Sequence, residues 1–81
     1  MRGRTRRLAE LAGMCKEKGQ GTIGDLEEIK AKFAIKKGLT EEVTDEYTTL
    51  LIKSKLLIFT YGQETWKYDP ENEMEIFNVN L

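Results

Sequence analysis

Apolar positions fall into three helical stripes followed by a stretch of alternation. Leu8, Leu11, Ala12 and Cys15 recur at i, i+3, i+4 and i+7, a spacing that holds side chains on one face of a 3.6-residue helix. This predicts a first helix over residues 5–18. Gly19 ends it, and Lys16 and Lys18 in the last turn suit the negative end of the helix dipole. Gly19-Gln20-Gly21 reads as a turn, and Thr22-Ile23 as an edge bridge too short for an independent strand. Asp25, with Glu28 three residues on, reads as the cap of a second helix. Leu26, Ile29 and Phe33 form that helix's core face and Gly38 its end. Thr40 caps a third helix, whose stripe is Val43, Tyr47, Leu50, Leu51 and Ser54. Glu41 and Glu42 lie in its first turn and Lys53 and Lys55 in its last, as the dipole favours.

The period then changes from 3.6 to 2. Leu57–Tyr61 and Glu64–Tyr68 flank Gly62-Gln63, predicting a β-hairpin on a two-residue type II′ turn with Gly at its first position. That closure pairs Tyr61 with Glu64, Phe59 with Trp66 and Leu57 with Tyr68. One face collects Leu57, Phe59, Trp66 and Tyr68; the other shows Thr60, Thr65 and Lys67. A slip of one residue destroys this sorting. Asp69-Pro70 begins either a type I turn or a helix with Asp as N-cap and Pro at N1. Ile76, Phe77 and Val79 in the tail predict an extended strand over residues 73–81.

Composition narrows the chemistry. The chain has 81 residues, 33% of them charged and 40% hydrophobic, consistent with one small globular domain. It has no His and one Cys. His-based triads, His metal ligands and thiolate zinc clusters are therefore excluded. No P-loop follows its glycines, and Asp69, Glu71 and Glu73 lack the spacing and glycine of an EF-hand loop. The expectation is a binding protein, not an enzyme, with no cofactor and no metal. No apolar run approaches the about 20 residues of a membrane span, nor does a signal-peptide h-region follow the first residues. A cytoplasmic location is expected, and Cys15 is expected to be a small buried hydrophobe.

A net charge of −1 hides a strong asymmetry. Residues 1–39 hold ten Lys/Arg and five Asp/Glu, a net of +5; residues 40–81 hold three Lys and nine Asp/Glu, a net of −6. Arg2, Arg4, Arg6 and Arg7 crowd the amino end, where a basic segment attracts phosphates.

The order of helix, short bridge, helix, tight turn, helix and hairpin resembles the winged helix-turn-helix family over residues 5–69. Thr40–Trp66 looks like its recognition helix and wing. In size and Lys/Glu-rich, His-free composition the chain is similar to the stand-alone winged-helix proteins of archaea and their viruses and plasmids, and it leans weakly thermophilic. The resemblance implies an α+β fold: a three-helix bundle, a hairpin wing and an extra C-terminal strand. It divides a single domain into a basic arm (1–7), a core (5–69) and a tail (70–81). It also implies double-stranded DNA binding as a homodimer in transcriptional control. Arg2, Arg4, Arg6 and Arg7 would form a phosphate-binding arm supported by Lys30, Lys36 and Lys37. Thr40, Thr44, Thr48 and Thr49 would reach phosphates or base edges, while Gln63 and Lys67 would meet the backbone from the wing.

On a helical wheel the face opposite the third helix's stripe carries Glu41, Asp45, Thr48 and Ile52, with Glu42 and Glu46 to one side. Carboxylates close to phosphates oppose DNA binding, so this face also fits a second reading: a winged-helix module or inhibitor that docks on a protein partner. Ile52, Phe77, Val79 and Leu81 are apolar residues one domain struggles to bury. They are the expected dimer interface.

Overall fold

The computed structural model describes residues 3–77, and the side chains of residues 5–74. Its elements are helices α1 (Gly3–Lys18), α2 (Ile23–Lys37) and α3 (Glu41–Lys53), strands β1 (Gln20–Thr22), β2 (Leu57–Phe59) and β3 (Thr65–Tyr68), and a 3-10 helix, Pro70–Phe77. The fold is α+β, three helices against a small antiparallel sheet in the order β1-β3-β2.

All four residues of the first stripe, Leu8, Leu11, Ala12 and Cys15, are buried. They meet Leu26 and Phe33 of α2 and Tyr47 and Leu51 of α3 in one cluster closed by Leu56, Leu57 and Trp66. The Phe33 and Tyr47 rings meet edge to face, 6.4 Å between centroids. Leu57 pairs with Tyr68 and Phe59 with Trp66, the register the face sorting predicts.

Trp66 joins the two halves of the fold. It is 1% exposed, and its indole Nε1–H donates to the Thr22 carbonyl at 2.8 Å. Thr22 ends β1 and is also the N-cap of α2: its hydroxyl accepts from the Asp25 N–H at 3.1 Å, and Asp25 Oδ2 accepts from the Thr22 N–H at 2.9 Å. This reciprocal capping box corrects the expected start of the second helix. Asp25 is the third helical residue and the cap is Thr22, because only that assignment satisfies both backbone donors.

The hairpin tip also differs from expectation. Thr60 N–H donates to the Thr65 carbonyl at 3.0 Å, and Gln63 N–H to the Thr60 carbonyl at 2.8 Å. The connection is thus a four-residue loop, Tyr61–Glu64, with positive φ at both Gly62 (89°) and Gln63 (58°). A type II′ turn places only its first central residue there. Pairing stops at the Thr60 and Thr65 hydroxyls, 2.8 Å apart, so Tyr61 and Glu64 do not pair. The register is unchanged because the loop opens symmetrically.

The tail prediction fails over residues 73–77. Asp69 Oδ1 accepts from the Glu71 N–H at 3.1 Å, and the chain enters the 3-10 helix at Pro70, the helix-start alternative of the Asp-Pro pair. A strand beside β3 has no vacant edge, since β1 pairs with one side of β3 and β2 with the other. The 3-10 helix instead lies near α1, where Lys16 Nζ meets Glu73 Oε1 at 2.9 Å. Residues 78–81 lie outside the described residues.

Two expectations follow. Trp66→Ala removes the indole from the core and is expected to lower unfolding stability by about 2–4 kcal/mol through lost burial and a cavity, measured by urea titration of circular dichroism. Lys55 closes α3 at φ 65°, a conformation costing a side-chain-bearing residue about 1 kcal/mol that glycine avoids. Lys55→Gly is expected to raise the urea midpoint, and a lowered midpoint contradicts this account of the helix end.

Candidate functional site

α1 begins at Gly3, so the expected arm is largely the first turns of a helix, and Arg4, Arg6 and Arg7 ride on it. The helix has no acidic residue in its first turn. Arginines there face the positive end of the dipole, which disfavours them locally. Arg6 and Arg7 are exposed. Arg2 and the Arg4 side chain lie outside the described part of the structure.

α2 returns beside α1 and brings its last turn to the same end. Lys37 Nζ is ion-paired with Glu10 Oε2. The hydrogen bond from Lys37 holds the Glu10 carboxyl below its usual range, helped by the charges of Lys36 and Arg6. Arg6, Lys36 and Lys37 therefore converge on a single carboxylate, with Arg7 alongside. Four of the predicted DNA-contacting residues form one basic end of the molecule.

Thr40, two residues beyond Gly38, lies close to this end, but its hydroxyl accepts from the Val43 N–H at 3.2 Å as the α3 cap. Thr44 and Thr48 are corrections: they are 1% and 6% exposed. Their hydroxyls donate to the Thr40 and Thr44 carbonyls, each at 2.9 Å. That local bonding satisfies the oxygen and lets the methyl join the core. α3 is therefore rolled by about 70° from the expected orientation, counting about 100° per residue. Val43 and Leu50 are half-buried, and Glu42, Glu46, Thr49 and Lys53 point outward. The Thr49 hydroxyl donates to the Asp45 carbonyl at 2.9 Å. Asp45 bonds Lys30 of α2, which also reaches Glu27. Burial opposes the charge of Lys30, but these carboxylates outweigh it and raise its pKa.

Gln63 and Lys67 are exposed on the hairpin, far from the basic end. The Tyr68 N–H donates to the Gly19 carbonyl at 2.8 Å, which fixes the sheet at the carboxyl end of α1. Arg6 stands thirteen residues earlier, about 20 Å along the helix. The predicted contacts thus form two groups, not one surface.

Sequence reasoning missed Tyr61, fully exposed at the hairpin tip, because the two-residue turn had paired it. It also passed over Ile35, 83% exposed on α2, which falls off the Leu26/Ile29/Phe33 stripe. Ile52 is exposed on α3. Its expected companions at a dimer interface are not described: Val79 and Leu81 lie outside the described residues, as does the Phe77 side chain.

No protein-family model, curated protein or solved structure matches the chain. Among the described residues, no group of three or more His, Cys, Asp or Glu is arranged to hold a metal ion. No helix there is long and apolar enough to cross a membrane.

Buried Cys15 and half-buried Tyr68 set an alkaline limit. Burial pushes the Cys15 thiol from 9.0 up to about 12, and burial, with the Glu73 charge, pushes Tyr68 from 10.0 to about 12. The unfolded chain releases these protons at lower pH than the folded chain, so this stability is complete below the unfolded values and is lost as pH rises toward 12. Urea midpoints are expected to fall between pH 9 and pH 12. Cys15→Ala is expected to flatten the fall, and an unchanged slope contradicts the assignment to the thiol.

Proposed function

We propose that this chain is a DNA-binding module of the winged-helix type, acting as a homodimer in transcriptional control and holding duplex DNA by phosphate contacts at its basic end. The order of three helices and an antiparallel hairpin supports the winged-helix reading. The observation that carries the DNA reading is the convergence of Arg6, Lys36 and Lys37 on Glu10. Three cations around one carboxylate leave positive charge uncompensated, and Arg6 lies in the first turn of α1, where the helix dipole disfavours it. Charge kept at a local cost fits a ligand that is itself anionic.

The binding mode departs from groove insertion by α3. Its outward Glu42 and Glu46 repel phosphates, and two of its three threonines are buried. The basic end instead grips the DNA backbone, which positions a protein without reading sequence. Lys67, paired beside Gln20, and Gln63 at the hairpin tip add a second contact beyond the far end of α1, which ends about 20 Å from Arg6. A duplex lying along α1 meets both groups about six base pairs apart, at 3.4 Å per pair.

The outward Glu42 and Glu46 of α3, and exposed Ile52 on another side of the same helix, favour a second reading, docking on a protein partner. Salt dependence separates the two. Each phosphate contact contributes about −0.9 to the slope of log K against log salt. In gel shifts with a mixed-sequence duplex, Arg6→Ala/Arg7→Ala/Lys36→Ala is expected to flatten that slope by about two to three units, and Lys67→Ala by about one. Absence of binding at low salt, or an unaltered slope in the triple variant, overturns the DNA reading.

A further inference from the structure

Glu10 is the sole acidic residue among the first sixteen of the chain, which also hold Arg2, Arg4, Arg6, Arg7 and Lys16. It stands four residues after Arg6 and three after Arg7, spacings that bring side chains together on a helix. Across the contact of α1 with α2, its Oε2 takes the Lys37 ammonium, and both side chains are half-buried. The Lys37 hydrogen bond, with the charges of Lys37, Lys36 and Arg6, holds the Glu10 carboxyl below its usual range against the opposing effect of burial. The carboxylates between α2 and α3 lie on the other side of α2: Asp45 and Glu27 bond Lys30, and Glu41 lines the same groove. An exposed ion pair adds little to stability, and the apolar core already joins α1 to α2. Stability therefore does not account for a lone acid at the centre of the basic end.

A carboxylate offers Lys37 what a phosphate offers, charged acceptor oxygens within hydrogen-bond reach. We propose that Glu10 stands in for a DNA phosphate in the unbound protein: it occupies Lys37, and duplex binding replaces the carboxylate with a phosphate oxygen. The inference rests on the DNA reading and concerns the strength of that same site. Arg6, Arg7 and Lys36 make no ion pair among the described residues, so they meet phosphates at the first encounter. Lys37 joins them only by giving up Glu10. One ion pair is broken for the one made, and the released carboxylate stays beside the incoming phosphates and repels them. Glu10 thereby holds the basic end below its full affinity.

Gel shifts with a mixed-sequence duplex over a range of salt test the exchange. Glu10→Gln keeps an acceptor for Lys37 and removes the charge. It is expected to bind more tightly than the unmodified chain at low salt. It is also expected to steepen the slope of log K against log salt by about one unit, the contribution of one added phosphate contact. Its advantage then narrows by about three- to fourfold between about 0.05 M and about 0.2 M salt. Lys37→Ala is expected to leave the slope of the unmodified chain nearly unchanged, because Glu10 already holds that ammonium. In the Glu10→Gln background the same change is expected to remove the added unit. Glu28→Gln removes an equal charge from an exposed position on α2 and is expected to leave the slope unaltered. Circular dichroism verifies that each variant is folded. If neither the unmodified chain nor Glu10→Gln binds duplex at low salt, the DNA reading falls and this proposal with it. The proposal alone falls, and the DNA reading stands, if the unmodified chain binds and Glu10→Gln binds no tighter or with no steeper slope. It falls likewise if Lys37→Ala flattens the unmodified chain's slope by a full unit, or if Glu28→Gln matches Glu10→Gln.

Discussion

The bond from the Trp66 indole to the Thr22 carbonyl is the constraint on which the rest of this small fold depends. Thr22 is where a strand stops and a helix starts, so fixing its carbonyl fixes both. The same strand, β3, holds β1 on one side and β2 on the other, and its tryptophan fills the space beneath. Gly21, opposite Trp66 in the ladder, has no room for a side chain: a Cβ there would lie 2.7 Å from Asp25 Oδ2. Sheet pairing, helix capping and core packing thus meet within a few residues. The direction of α2 follows from this junction. So does the placement of its last turn beside the start of α1.

That placement turns a sequence asymmetry into a spatial one. Ten of the thirteen cations precede residue 40, but a chain could scatter them over its surface. The antiparallel return of α2 gathers Arg6, Lys36 and Lys37 around Glu10, while Lys30 is drawn off to Asp45 and Glu27 on the far flank. Local rules are satisfied almost everywhere else: acids begin α3, lysines end α1 and α2, and each buried polar side-chain atom has a hydrogen-bond partner among the described residues. The start of α1 breaks the rule, with arginines at the positive end of a helix. A local conflict inside an otherwise consistent structure is where function is expected to reside.

How far the sequence was legible depended on the kind of signal. The stripes of α1 and α2 and the 57–68 and 59–66 pairs were readable because burial is periodic and one slip inverts a face. The orientation of α3 was not. Val43, Tyr47, Leu50 and Leu51 define a stripe, but threonine counts as polar in such a pattern. Its hydroxyl can turn back to the preceding carbonyl and send the methyl inward, as Thr44 and Thr48 do. The hairpin turn failed for a similar reason. The Thr60–Thr65 hydroxyl pair ends the ladder early, and no propensity of Gly62 or Gln63 encodes that. Thr22 rather than Asp25 as the α2 cap was open to reading, since Thr22 and Asp25 have the same three-residue spacing as Asp25 and Glu28. The basic end was half legible: its arginines are adjacent in sequence, but Lys36 and Lys37 join them only through the packing of α2 on α1.

The roll of α3 alters the functional argument more than any other difference. In the expected orientation Glu41 and Asp45 face outward and oppose any approach of a polyanion. In the observed one both turn toward α2, where Asp45 holds Lys30 and Glu41 walls the groove. The acidity of this helix is therefore shared between two surfaces. Part of it lies against α2, where Asp45 balances a half-buried lysine and Glu41 lines a groove with Ile35. The rest, Glu42 and Glu46, stays on an outer face that also carries Thr49 and Lys53. The basic end of Arg6, Lys36 and Lys37 holds a single carboxylate, Glu10, already paired with Lys37. Surfaces of different charge thus arise from one 81-residue chain, and the turn of a single helix about its axis decides which of them its carboxylates join.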